Sequence, residues 1–182
     1  MVRRRDRRER PPLDRQKLDE LALAYVGRFA TTRSKLESYL ARKLRERGWT
    51  GERPPDVEAI VERLSGLGYV DDAAYALAKS RALTGRGYGS RRVRQSLRAA
   101  GVGEEDSGAA NDHAEAEAVE SALRFARRRR MGPFGERPAD RLQKEKALAA
   151  MIRAGHGFDL SRTILALEPG CEFDIESLAE KA

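Results

Sequence analysis

The segment GYGSRRVRQSLRAAGV, residues 87–102, carries one short helix together with the signals that begin and end it. Ser90 is a residue type that caps helix N-termini, and Val93 and Leu97 fall on one apolar face. Gly101 followed by Val102 is typical of a helix C-terminus, where glycine adopts the left-handed conformation and an apolar residue follows it. The pattern therefore predicts a helix capped by Ser90 and closed by Gly101.

The same helix ending occurs at two other places in the chain. Leu44 leads to Gly48–Trp49, and Met151 leads to Gly155 with the same spacing. We therefore predict an all-α fold, an elongated tandem array of three three-helix repeats of helix-turn-helix type. The predicted repeats cover residues 13–70, 71–113 and 114–167. The alternative is a single irregular helical domain, since glycine ends many helices.

Other signals predict helices within each repeat. In the first repeat an apolar stripe runs over residues 18–29, Thr32 caps a second helix, and Asp56 after two prolines starts a third. Trp49 and Tyr69 are assigned to core or helix-end packing. The second repeat begins with a helix over residues 72–84, whose adjacent acids Asp71 and Asp72 are interpreted as caps rather than a catalytic pair.

The later segments carry weaker patterns. EEDSGAANDH, residues 104–113, has no apolar stripe and is predicted to be a short, frayed helix or a loop. The third repeat is predicted to contain helices over residues 114–130 and 160–167, the latter capped by Asp159. The Arg-rich residues 1–12 are predicted to be a disordered arm. The acidic residues 168–182 are predicted to be a mobile tail in which Ile175 and Leu178 dock only weakly.

The distribution of charge points to an acidic partner. The 182 residues include 36 Lys and Arg against 29 Asp and Glu, a net charge of +7. Residues 73–103 contain basic side chains and no acidic one, and Arg91, Arg94 and Arg98 lie opposite the apolar face of their helix. The usual meaning of a charge run is a solvated helix face, but the absence of interleaved Glu favours binding. The candidate filament- or nucleic-acid-binding residues are Lys79, Arg81, Arg86, Tyr88, Arg91, Arg92, Arg94, Arg98, Arg127 and Arg128.

Catalysis and metal binding find little support in the residues. The two histidines, His113 and His156, have no partners at metal-site spacing, and His156 is predicted to lie in a solvent-exposed turn. Cys171 is the single cysteine and excludes an intrachain disulfide. No phosphate-binding motif and no apolar run long enough for a bilayer are present. We expect a cytoplasmic protein that is not an enzyme, with no catalytic residues, no metal and no cofactor.

Three segments resemble the RecX family of bacterial regulators of the RecA recombinase. GYGSRRVRQSLRAAGV (87–102) resembles that family's GYG-P-x-[RK] segment, LGYVDDAAYA (67–76) its LGYLDD segment, and KEKALAAMIRAGHGF (144–158) its third-repeat helix. The resemblance covers about Leu13–Leu167. Ser90 stands where the family usually has proline, which should preserve the helix start.

The resemblance implies a protein that binds within the helical groove of the RecA–DNA filament. It implies inhibition of ATP hydrolysis and strand exchange, loss of the filament and, in some members, direct binding of DNA. The expected partners are therefore the RecA filament and single- or double-stranded DNA, bound by a monomer. The residues are also compatible with two alternatives: a stand-alone, sequence-nonspecific DNA-binding protein, and a helical adaptor whose charge is incidental.

Overall fold

The computed structural model describes residues 11–179, and over that range the protein is helical with no β-strand. The extended-backbone pairing within this range is an isolated bridge between Leu13 and Trp49. The prediction of an all-α fold built from three-helix repeats is confirmed. The chain forms two compact units, the first ending at Asp72 and the second beginning at Ala73. Most of the predicted basic arm, residues 1–10, and the end of the predicted acidic tail, residues 180–182, lie outside the described residues.

The first unit contains three helices, α1 (Arg15–Val26), α2 (Arg33–Arg47) and α3 (Val57–Gly66). Its core is built from leucine, isoleucine, valine and alanine side chains of all three helices, including Leu18, Leu36, Leu40 and Leu64. Both predicted caps are confirmed, since the Thr32 and Asp56 side chains accept hydrogen bonds from backbone N–H groups of the turns that follow them. The capping residues thus position these helices as the sequence indicates, but the apolar stripe predicted over residues 18–29 is too long, since α1 ends at Val26 and Phe29 is 57% exposed.

Two predictions about the ends of the first unit need correction. Tyr69 closes α3 through its backbone, whose N–H donates to the Leu64 carbonyl at 2.9 Å, while its side chain is 57% exposed. Asp72 is buried, and its carboxylate accepts from the Arg33 N–H at 2.9 Å. Asp72 therefore serves the N-terminus of α2, where a negative charge is favourable, rather than only the helix that it begins. Trp49 packs against the core as predicted.

The second repeat consists of α4 (Asp72–Gly85), α5 (Ser90–Ala99) and α6 (Glu104–Ala116). The expectation of a frayed helix or loop at residues 104–113 is wrong, because α6 is continuous over thirteen residues. Its buried side chains are Ala110 and Ala114, and the Ser80 hydroxyl donates to the Ala110 carbonyl at 2.7 Å. Small residues let α4 and α6 approach closely, so this helix needs no stripe of large apolar residues.

Two helix starts also differ from prediction. Ser90 is the first residue of α5 and makes no side-chain cap; the N-cap is Gly89. The position of Ser90 is thus the one where proline is well tolerated, which explains the exchange with the proline of the resembling motif. Because α6 continues to Ala116, the next helix begins at Ala118 rather than at residue 114.

The third repeat consists of α7 (Ala118–Arg129), α8 (Arg141–Arg153) and α9 (Phe158–Ala166), with a 3₁₀ turn at Gly132–Phe134. Asp159 lies in the first turn of α9, whose N-cap is Gly157, so the predicted cap is displaced by two residues. A further helix, α10 (Ile175–Ala179), follows, and its Leu178 is 4% exposed within the third-repeat core. The expectation of a mobile acidic tail is therefore wrong for this segment.

Candidate functional site

The loop before α5 lies directly against the turn between α8 and α9. The Gly89 N–H donates to the Ala154 carbonyl at 3.0 Å, and the Arg91 N–H donates to the Gly155 carbonyl at 3.1 Å. Gly155 has a φ of +96°, and a side chain there would collide with the backbone N of Arg92. Both glycines are required because two backbones touch with no room for a Cβ. The contact holds the start of α5 on a rigid base.

His156 lies beneath this loop and not in solvent. It is 2% exposed, its Nε2–H donates to the Gly87 carbonyl at 3.2 Å, and its ring packs on Phe125 with centroids 5.5 Å apart. Burial lowers the pKa of His156 to about 4, against a smaller raising effect of the Gly87 hydrogen bond. The imidazole is therefore neutral at pH 7, and the prediction of a solvent-exposed turn residue is wrong. The turn is buried because the second repeat covers it.

The exposed face of α5 carries arginines, while its opposite face is buried. Val93 and Leu97 are in the core, whereas Arg91, Arg92 and Arg98 are exposed. Arg91 and Arg98 are seven residues apart on a helix, which places them on one face about 10.5 Å from each other along the axis. Within residues 11–179 neither forms an ion pair, and Arg92 donates to Gln95 at 2.9 Å. These guanidinium groups are available to an anionic partner.

Arg94 differs from its neighbours on α5. Its guanidinium forms an ion pair with Glu115 of α6 at 3.0 Å and also donates to the Ser90 hydroxyl at 3.4 Å. Glu115 is 21 residues from Arg94 in the chain, so the local sequence around Arg94 does not indicate this ion pair. Arg94 therefore joins α5 to α6 as well as carrying charge.

The two basic residues predicted on α4 do not share a face. Positions two apart on a helix are rotated by about 200°, so Lys79 and Arg81 lie on different sides of α4. Between them, Ser80 points into the core. At most one of the two can lie beside a ligand held on any single face of α4.

The loop after α4 gathers three of the predicted residues. The Arg128 guanidinium donates to the Arg86 carbonyl at 2.5 Å, and the Arg86 guanidinium lies 5.7 Å from the centre of the Tyr88 ring. Tyr88 is half-buried and packs against the cores of both the second and third repeats. Arg127, the next residue on α7, lies 4.8 Å from the Phe134 ring instead. The structure therefore brings Arg86, Tyr88 and Arg128 together and places Arg127 elsewhere.

Arg124 is a residue of this site that the sequence reasoning did not single out. Its guanidinium donates to the Thr84 carbonyl at 2.7 Å, one turn of α7 before Arg128. Thr84 and Arg86 carry carbonyls at the C-terminal end of α4, where positive charge is favourable. The four-residue spacing of Arg124 and Arg128 was the available signal, since it puts both on one face.

Other kinds of site find no support in the described part of the chain. Among residues 11–179 no three His, Cys, Asp or Glu side chains are grouped so that they could hold a metal ion. None of the helices there is both long and apolar enough to span a bilayer.

Comparisons with known proteins agree in pointing to one family. A family model described as RecX, second three-helix domain, matches residues 71–110, the segment that contains α4 and α5. Regulatory protein RecX of Myxococcus xanthus is 34% identical over 160 residues, covering 84% of this chain and 86% of that protein. Regulatory protein RecX of Xanthomonas campestris pv. campestris is 37% identical over 138 residues, covering 75% and 77%.

Solved structures have the same fold. The crystal structure of RecX from Lactobacillus salivarius superposes with a TM-score of 0.59 at 20% identity and covers 82% of this chain and 92% of that one. A second crystal structure, of a regulatory protein RecX, superposes with a TM-score of 0.55 at 26% identity, covering 79% and 67%. At 20% identity, the comparison with the Lactobacillus salivarius structure bears on the fold alone.

Proposed function

The chain belongs to the RecX family of regulatory proteins, and from this premise we propose that it controls homologous recombination by binding in the groove of the RecA–DNA filament. Bound there it inhibits ATP hydrolysis and strand exchange and promotes loss of the filament. It acts in the cytoplasm, as a monomer and without chemistry of its own. The RecA partner is inferred from the resemblance of residues 67–76, 87–102 and 144–158 to the family's motifs.

The observation that carries this proposal is the arginine face of α5. Arg91 and Arg98 project from one side of a helix whose other side is fixed in the core by Val93 and Leu97. An arginine has a planar group that binds phosphate or carboxylate oxygens in pairs. Two such groups about 10.5 Å apart on a rigid helix suit a partner with regularly spaced negative charges, such as a nucleoprotein filament.

The surroundings of α5 support the same conclusion. The backbone bonds from Gly89 and Arg91 to the α8–α9 turn fix the helix on the third repeat, so the arginines keep their positions before the partner arrives. A binding face that is already ordered loses less conformational entropy on association. Arg86 and Arg128, held together at the neighbouring loop, extend the positive charge beyond α5.

The test is RecA ATP hydrolysis on single-stranded DNA, measured with the full-length protein at amounts far below those that would coat the strand. We expect inhibition by the wild type and at least a tenfold loss of potency in Arg91→Glu/Arg98→Glu. The matched control is Arg141→Glu/Arg153→Glu, which makes the same change of charge on exposed side chains of α8. This control should inhibit like the wild type, and circular dichroism should show equal helicity in all three proteins.

Other outcomes would point away from the filament. If inhibition appears only when the DNA is saturated, and affinity for bare DNA equals affinity for the filament, the protein is a sequence-nonspecific DNA-binding protein. Equal potency of the α5 variant and the wild type would show that a different surface makes the contact.

A further inference from the structure

The third repeat contains a cleft that takes no part in the α5 surface. It has a volume of about 620 Å³ and is bounded by the end of α7, the loop that leads to α8, one side of α8 and the segment after α9. Cavities of about 300–1,000 Å³ are the size that small organic ligands occupy. None of the residues that line it belongs to α5.

The floor of the cleft is apolar. Met131, Ala147, Ala150 and Leu167 line it, and all four are half-buried side chains packed on the third-repeat core. Leu165, which is 7% exposed, completes the floor. Alanines on α8 leave a shallow surface on which a flat, uncharged group can lie.

The rim of the cleft is strongly basic. Five cationic side chains line it against two acidic ones, Glu136 and Glu168. Arg130 pairs with Glu136 at 2.8 Å, but within the described residues the other four cations form no ion pair. Like charges gathered around a concavity repel one another and raise the local concentration of anions. The five cations are Arg129, Arg130, Arg137, Lys144 and Lys146.

The backbone at Arg130 supports a role in binding. Arg130 ends α7 with φ 52° and ψ 51°, and it is the one non-glycine residue of the described chain with a positive φ. The second helices of the three repeats, α2, α5 and α8, are followed by glycines with positive φ, Gly48, Gly101 and Gly155, and glycine tolerates such φ values without strain. An arginine in the left-handed region is disfavoured, and such strain is found where a side chain must face a ligand.

We propose that this cleft binds a nucleoside triphosphate. The phosphates lie against Lys146 and against Arg130, which exchanges Glu136 for them, and the base lies on the alanine and leucine floor. The ligand class follows from the combination of a basic rim, in which four of the five cations form no ion pair within the described residues, with an adjacent flat apolar surface, because a nucleotide joins a polyanion to a planar base. The volume fits a small molecule better than a folded acidic partner.

The test is titration calorimetry of the full chain with ATP, adenosine and inorganic tripolyphosphate, in low salt with chelator. We expect ATP to bind at least tenfold more tightly than either of its parts. Arg130→Gly should weaken ATP binding at least tenfold while the thermal unfolding midpoint stays level or rises, since glycine relieves the strained backbone. If Arg130 had only a structural role, Arg130→Gly would lower the thermal unfolding midpoint and leave ATP affinity unchanged. Lys144→Gln/Lys146→Gln should also weaken ATP binding, and Arg153→Gln on the same helix should not.

Three results would overturn the proposal. They are no heat with ATP at millimolar concentration, equal affinity for ATP and tripolyphosphate, and unchanged ATP affinity in both cleft variants. Arg91→Glu/Arg98→Glu should bind ATP normally; if ATP affinity falls there, the nucleotide binds the α5 face instead. This outcome does not depend on whether the protein acts on RecA, so the two proposals fail separately.

Discussion

The imidazole Nε2 of His156 lies 3.2 Å from the carbonyl oxygen of Gly87, which joins the α8–α9 turn to the loop that precedes α5. A carbonyl oxygen can only accept, so Nε2 carries the hydrogen in the neutral ring. The two residues are 69 positions apart in the chain, and the bond is buried. The arginine face of α5 therefore stands on a base that contains a buried histidine, which burial keeps neutral at pH 7.

The stability of the second compact unit should fall in mild acid. Burial lowers the pKa of His156 to about 4 from an ordinary value of 6.5. Between pH 6.5 and pH 4, His156 is protonated in the unfolded chain but stays neutral in the folded chain. The free energy of unfolding is therefore highest above pH 6.5 and decreases as the pH falls towards 4. Between pH 7.5 and pH 5 the loss should be about 2 kcal/mol. Urea unfolding at the two pH values measures it.

The control for this pH effect is His156→Gln, which keeps a side-chain N–H donor but does not titrate. The variant should lose less stability than the wild type over the same pH interval, even if it is less stable at pH 7.5. An equal pH dependence in the two proteins would mean that His156 is not the group responsible.

Two glycines should respond to alanine with opposite signs. Gly155→Ala places a Cβ against the Arg92 backbone at a φ of +96° and should cost roughly 2–4 kcal/mol. Gly108 lies inside α6 with open space around it, so Gly108→Ala should stabilise by roughly 0.5–1 kcal/mol. Urea denaturation of both variants gives the comparison. A neutral Gly155→Ala would show that the contact between α5 and the α8–α9 turn is loose in solution.

The sequence predicts the helices best where large apolar residues and helix-end signals coincide. Thr32 and Asp56 cap as expected, and Gly48, Gly101 and Gly155 have positive φ. α6 is longer and more regular than the predicted frayed helix or loop because it packs through Ala110 and Ala114, small side chains that produce no apolar stripe in the sequence. These alanines are buried in the second-repeat core by the neighbouring helices, which is a tertiary property.

For the site, the sequence predicts charge and periodicity but not partners. The exposed arginines of α5 follow directly from the positions of Val93 and Leu97. The Glu115 that pairs with Arg94 is 21 residues away, and the Gly87 carbonyl that accepts from His156 is 69 residues away. Such pairings are set by how the helices pack, so no local pattern reveals them.

The end of the chain should contribute to stability through Leu178. This side chain is 4% exposed in the third-repeat core, so Leu178→Ala should cost roughly 2–3 kcal/mol. Ile175, on the same short helix α10, is 43% exposed, and Ile175→Ala should change the unfolding free energy by less than about 0.5 kcal/mol. Thermal and urea unfolding measure both. Equal, small effects would mean that α10 does not stay docked.

We expect Arg94 to act mainly in stability and Arg91 mainly in binding. The Arg94–Glu115 pair is partly exposed, so Arg94→Ala should cost no more than about 1 kcal/mol. Exchanging the charges in Arg94→Glu/Glu115→Arg should recover most of that stability. Arg91→Ala removes a side chain with no ion pair within residues 11–179 and should leave stability unchanged within about 0.5 kcal/mol.

The binding of these variants to the RecA–DNA filament should follow the reverse order. Arg91→Ala should weaken binding more than Arg94→Ala, because only the first removes a guanidinium that is not already engaged within the protein. Fluorescence anisotropy of the labelled protein against preformed filaments measures both affinities. If Arg94→Ala weakened binding as much as Arg91→Ala and left stability intact, Arg94 would exchange Glu115 for the partner on association. The binding face would then include the junction of α5 with α6.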